Sequence, residues 1–157
     1  MTEPLSYRLL ESIAARLALV LTANGYRTDL GETVRIDPAF VDPQQVGPVT
    51  YVVAGDFARR AESSTQRQQS SECEIIIEAI LPISRDNATL IAHRCRADFL
   101  RALFDTAVDL PKDTDGSAAT GLRIARDTIV TRPEGAPVVV VQITASAGLT
   151  ERINPTQ

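Results

Sequence analysis

The segment Ser71–Leu81, S-E-C-E-I-I-I-E-A-I-L, constrains the fold more than any other stretch of the chain. Strand side chains alternate between the two faces of a sheet, so this segment divides with a period of two. Cys73, Ile75, Ile77, Ala79 and Leu81 fall on one face, and Glu72, Glu74, Ile76, Glu78 and Ile80 on the other. The pattern predicts a long half-buried strand with an apolar core face and a second face that carries three carboxylates. Like charges in a row on one strand repel each other. Such a row fits a plain solvated sheet face, and it also fits a surface that must not adhere to a polyanion.

The rest of the chain supplies partners for that strand. Leu9, Ile13, Leu17 and Val20, widened by Leu10, Ala14 and Leu21, recur at helical spacing. They predict an amphipathic helix over 5–24, with Pro4 at its start and Gly25 as a left-handed cap. Residues 28–36 predict a small hairpin turning at Gly31-Glu32. The stretch 37–48, with Pro38, Pro43, Gly47 and Pro48, predicts an irregular loop, and 49–56 the next strand. Residues 57–70 are polar and unpatterned, with Arg59, Arg60 and Arg67 against the single carboxylate of Glu62. Between two strands this reads as a long hairpin tip, either a solvated loop or a contact loop that orders on a partner.

A second helix is expected from a cap at Ser84 or Asp86 to about Asp105. Its core stripe is Ala88, Ile91, Ala92, Cys95, Phe99, Ala102 and Leu103, with Arg94, Arg96 and Arg101 off that stripe. A polar loop over 108–120 holds the acid pair Asp113 and Asp115. Residues 121–131 and 137–147 then predict a closing hairpin through R-P-E-G-A, with fraying from about residue 150 around Pro155. Helices that interrupt antiparallel strands, instead of alternating with each one, indicate an α+β class. The expectation is one domain over 1–157, a mainly antiparallel sheet with two amphipathic helices on one face and a long loop within the sheet.

Charge and residue types narrow the function. A net charge of −4 and a pI near 5.0 argue against a general nucleic-acid binder, whose affinity comes from neutralising phosphates. Lys112 is the sole lysine among 16 basic residues. Either a GC-rich genome or a use of guanidinium forks in subunit contacts accounts for that bias. No apolar run of about 18 residues occurs, so no membrane span is expected. The N-terminal M-T-E-P-L-S-Y-R lacks the basic-then-apolar order of a secretory signal. Cys73 and Cys95 fall at apolar-facing positions and read as buried small hydrophobes in a reducing setting. His93, the one histidine, lies on the arginine-bearing side of the second helix, with no relay partner in its sequence context. Glu72 and Glu74 could share a metal only with further ligands that the neighbouring sequence does not supply. The glycines form no phosphate cradle. No catalytic, cofactor or metal site is therefore expected, and a non-enzymatic role is.

The opening R-L-L-E-S-I-A-A-R-L, followed by N-G-Y-R-T-D-L-G-E-T-V, resembles the start of tail-terminator and minor-tail proteins of long-tailed bacteriophages and prophages. The likeness continues through the long loop within the sheet and the E-x-x-I-x-A type strand. It extends to the second helix A-H-R-C-R-A-D-F-L-R-A-L-F and the closing hairpin. It implies a homo-oligomeric, typically hexameric, ring at the head-proximal end of the virion tail, built in the host cytoplasm. Its partners would be the tail tube protein and a head-completion protein, with DNA passing through unbound and no membrane involved. On that reading Glu72, Glu74 and Glu78 line the lumen, where carboxylates repel phosphates. Arg59, Arg60 and Arg67 make intersubunit or tube contacts through charge-assisted pairs. Two alternatives stay open: a head–tail connector or tail-completion subunit, and a small cellular α+β ligand-binding or regulatory domain with residues 57–70 as its lid.

Overall fold

The structure is a computed structural model, and it describes residues 2–61, 64, 65, 67–82, 87–104, 108–131, 135 and 137–153. Helix α1 spans Leu5–Leu17 and helix α2 Ala88–Phe104. The strands are β1 (Val34–Arg35), β2 (Val49–Arg59), β3 (Gln68–Pro82), β4 (Ala118–Thr131) and β5 (Val138–Arg152). They form one sheet in the order β1-β2-β3-β5-β4, antiparallel throughout except for the parallel pair β1–β2. Both helices pack on one face, which makes the fold α+β as the sequence indicates.

The alternation of the acidic strand holds from Ser71 to Ala79 and ends at Ile80, which is buried as well, in a second cluster on the other face. Cys73, Ile75, Ile77, Ala79 and Leu81 are buried under the helices, beside Val139, Val141, Ile143, Ala145, Ala147 and Leu149 of β5. Leu9, Ile13 and Leu17 of α1 and Cys95, Phe99 and Ala102 of α2 close that core. Removing this much apolar surface from water is the main force holding the layers together, at about 25 cal/mol per Å².

Several boundaries differ from the sequence expectation. Helix α1 stops at Leu17 instead of Asn24, because the chain must turn to bury both Val20 and Leu30. The Gly31 amide donates to the Val20 carbonyl at 2.8 Å. A Cβ at Gly31 would sit only 2.5 Å from the Ala18 carbonyl oxygen, so the close approach requires glycine. Gly25 does adopt a left-handed φ of 81°, but it closes a separate 3-10 turn over Thr22–Asn24. The expected hairpin over 28–36 does not form. Leu30–Glu32 make a 3-10 turn, and Val34–Arg35 pair parallel with Thr50 and Tyr51.

The loop expected over 57–70 is shorter, since β2 runs on to Arg59 and β3 begins at Gln68. Cross-strand pairing there outweighs the polar composition. The closing hairpin is longer than expected for the same reason. Its strand β5 includes Thr150–Arg152, and the Ile153 amide donates to the Arg67 carbonyl at 2.9 Å. The expected fraying therefore does not begin at residue 150, and Pro155 lies outside the described residues. The same is true of Glu62, the caps Ser84 and Asp86, Asp105, and most of R-P-E-G-A.

Candidate assembly surface

The face of the sheet opposite the helices has three zones. Its charged end is built around Glu72 on β3. One carboxylate oxygen of Glu72 pairs with Arg60, and the other with the Arg123 Nη2 of β4 at 2.6 Å. The Arg123 Nε also donates to the Ser146 hydroxyl at 3.2 Å. This bidentate use of one carboxylate by two guanidinium groups ties the β2–β3 hairpin tip to the far edge strand, across β5.

Glu74 and Glu78 stand differently. Among the described residues neither makes an ion pair. Glu78 accepts a hydrogen bond from the Gln142 amide at 3.0 Å. The Glu74 carboxylate lies directly over Gly55, where any Cβ would collide with it. The sequence therefore placed all three carboxylates on one face, but only Glu74 and Glu78 present charge without a neutralising arginine. The middle zone carries Val53, Ile76, Thr144 and Arg126, which the strand register aligns. The far end is apolar: Tyr51, Ile80 and Val138 form a second small cluster with Val49 and Val140. The loop after β1 covers it, with the Tyr51 hydroxyl donating to the Phe40 carbonyl at 3.1 Å and the Gln45 amide to the Ile80 carbonyl at 2.9 Å.

The arginines expected in the hairpin tip divide. Arg59 belongs to β2 and reaches the Gln69 side chain at 3.2 Å. Arg60 is the partner of Glu72, so two residue sets that the sequence treated separately meet at one contact. Arg67 bonds through its backbone to Thr65 and Ile153. The sequence missed Arg123 as the second partner of Glu72. The signal was the run G-L-R-I-A-R-D, whose two bulges break the simple alternation that would have aligned it.

The helix side uses its charges structurally. Asp98 is buried and accepts from the Arg27 amide at 3.0 Å and the Thr28 hydroxyl at 2.6 Å, which fastens α2 to the turn after Gly25. Arg101 stacks 4.6 Å over the Tyr26 ring and donates to the Gly25 carbonyl at 2.7 Å. Arg96 pairs with Asp127 of β4. Arg94 and His93 remain exposed beside Arg27 and Leu90. Cys73 and Cys95 are free and buried. Burial foremost, with nearby carboxylates adding to it, pushes their thiols up to about 11 and about 12. Such thiols stay protonated and unreactive near neutral pH. Among the described residues, no three His, Cys, Asp or Glu side chains gather closely enough to hold a metal ion. No described helix is long and apolar enough to cross a membrane.

No protein-family model matches this chain, and no curated protein sequence does. Among solved structures, a chain of the "Virion of native gene transfer agent (GTA) particle" aligns over 93% of this chain and 100% of its own length. The TM-score is 0.59 and the identity 20%, so the two share a fold. A second solved chain aligns over 92% of this one at a TM-score of 0.38 and 15% identity, too low to indicate a common architecture.

Proposed function

We infer that this chain is a structural subunit of a phage-like virion. Within that class we assign it the part of a tail terminator. It docks on the last ring of the tail tube, stops tube polymerisation and presents a surface to the head-completion protein, with no covalent chemistry. The observation that carries this reading is the likeness over nearly the whole chain to a component of a gene transfer agent virion. It converges with the tail-terminator texture of the sequence. The open sheet face adds a second line of support.

That surface fits the role. A sheet with one face sealed by helices and the other bearing ordered charge is suited to rigid docking. Glu74 and Glu78 supply the unneutralised carboxylates that a DNA conduit needs, since they repel phosphates. Glu72 contributes less, because Arg60 and Arg123 offset its charge.

A ligand-binding domain is the second reading. It draws on a hollow of about 480 Å³ lined by Phe40, Gln45, Val46 and Tyr51, where the Gln45 Oε1 has no hydrogen-bond partner among the described residues. Localisation separates the two. In tail-bearing particles from the source strain, a tag on this chain is expected at the head-proximal end of the tail. Tag-negative particles with this polypeptide confined to the host cytosol would overturn the assignment.

A further inference from the structure

We propose that copies of this chain join through their two opposite sheet edges, with the β2 edge of one copy against the β4 edge of the next. The proposal rests on the virion-subunit reading and names the contact within it.

The topology permits such a junction. Beyond the two-residue β1, which pairs only with Thr50 and Tyr51, the outer edge of β2 has no strand beside it among the described residues. The outer edge of β4 has none past the bridge between Lys112 and Ala118. The four strands β2, β3, β5 and β4 alternate in direction, so β2 and β4 run oppositely. Laying β2 of one copy against β4 of the next therefore continues the antiparallel order. Every copy then uses one edge to meet a different edge, a heterologous contact that closes into a ring when the rotation allows.

The side chains on these edges are complementary. Each edge strand carries a bulge, and bulges at sheet edges interrupt pairing and re-aim a side chain. In β2, Gly55 and Asp56 together oppose Glu74. In β4, Ala125 is the extra residue between Ile124 and Arg126. Asp56 and Arg126 are both exposed, and neither has an ion-pair partner among the described residues. One free edge thus offers a carboxylate and the other a guanidinium. With Asp56 placed opposite Arg126 in an antiparallel junction, Phe57 falls opposite Ala125. Phe57 is 46% exposed on its own chain, and that juxtaposition covers it. The bulges prevent a long backbone ladder, so side chains carry the contact.

The test joins cross-linking to charge reversal. In Asp56→Cys/Arg126→Cys protein, mild oxidation is expected to give a ladder of covalent multimers, both in concentrated solution and in tail-bearing particles. The native thiols are buried and stay silent. Each single cysteine variant has no cysteine across the junction and should give no ladder. Asp56→Arg and Arg126→Asp alone should each reduce incorporation into particles by about tenfold or more, and the double reversal should restore it. No ladder from the double cysteine variant in either setting, or equal incorporation of all charge variants, would overturn the proposal. Because the tag experiment reads location and the ladder reads contact, a tail-located chain without a ladder defeats this proposal alone. A ladder from a chain absent from particles defeats the virion assignment alone.

Discussion

Ile76 and Ile77 are adjacent and chemically identical, yet they belong to different regions of the molecule. Ile77 is fully buried beneath the helices, while Ile76 is half-buried on the open face between Val53 and Thr144. The helix-covered face is a close-packed interior in which every methylene counts. The open face is a patterned exterior whose residues matter through charge and position. One strand thus carries stability on one side and, in the role proposed above, assembly on the other. Substitutions should accordingly separate into two classes with different readouts.

The largest contrast is expected from alanine at those two positions. Ile77→Ala leaves a cavity in the core and should cost about 2–5 kcal/mol. Ile76→Ala should cost under about 1 kcal/mol. Urea unfolding at equal m-value would measure both, and for a chain of this size each kcal/mol is roughly 2–4 °C in Tm. Equal costs would erase the distinction between the faces.

Next comes Asp98→Ala. This carboxylate is buried inside the helix layer, so its loss leaves the partly buried Arg27 amide and Thr28 hydroxyl without their acceptor. A cost of about 1–3 kcal/mol is expected, with loss of amide protection at Arg27 as the specific sign. Unchanged exchange at Arg27 would mean that α2 does not depend on this anchor.

The smallest effects on stability are expected on the open face. Glu72→Ala removes a partly exposed pair network and should cost about 1 kcal/mol or less. Glu74→Lys with Glu78→Lys should leave stability within about 0.5 kcal/mol. Its expected effect is on DNA passage, with tails of normal length but reduced infectivity. Full infectivity of that double variant would remove the lumen role from these carboxylates.

Much of this division was readable in the sequence, because burial on one side of a strand leaves a period-two imprint. Cys73 to Leu81 and the stripe of α2 fell where the pattern placed them. The misses share a physical cause, namely tertiary pairing that local composition does not encode. Polar residues at Gln68–Ser70 joined a strand because β5 was there to pair with them. The end of α1 was set by the contact between Ala18 and Gly31, thirteen positions apart. Asp98 sat within an otherwise apolar stripe and could not be distinguished from a surface acid without its partners Arg27 and Thr28 in the distant turn after Gly25. On the open face the carboxylates were legible but their neutralisation was not. Arg60 reaches Glu72 from just past the end of β2 and Arg123 from β4, and the bulges of β4 hide the register that brings Arg123 there.

The proposed role is the docking of a rigid domain, through its exposed sheet surface, in a virion tail. The most direct measurement is the tail-length distribution of particles made without this polypeptide, imaged beside particles in which it is restored. Tails that overrun their normal length and lack heads, corrected on restoration, are the expected result. Tails of uniform, unchanged length joined to full heads in its absence would contradict the account.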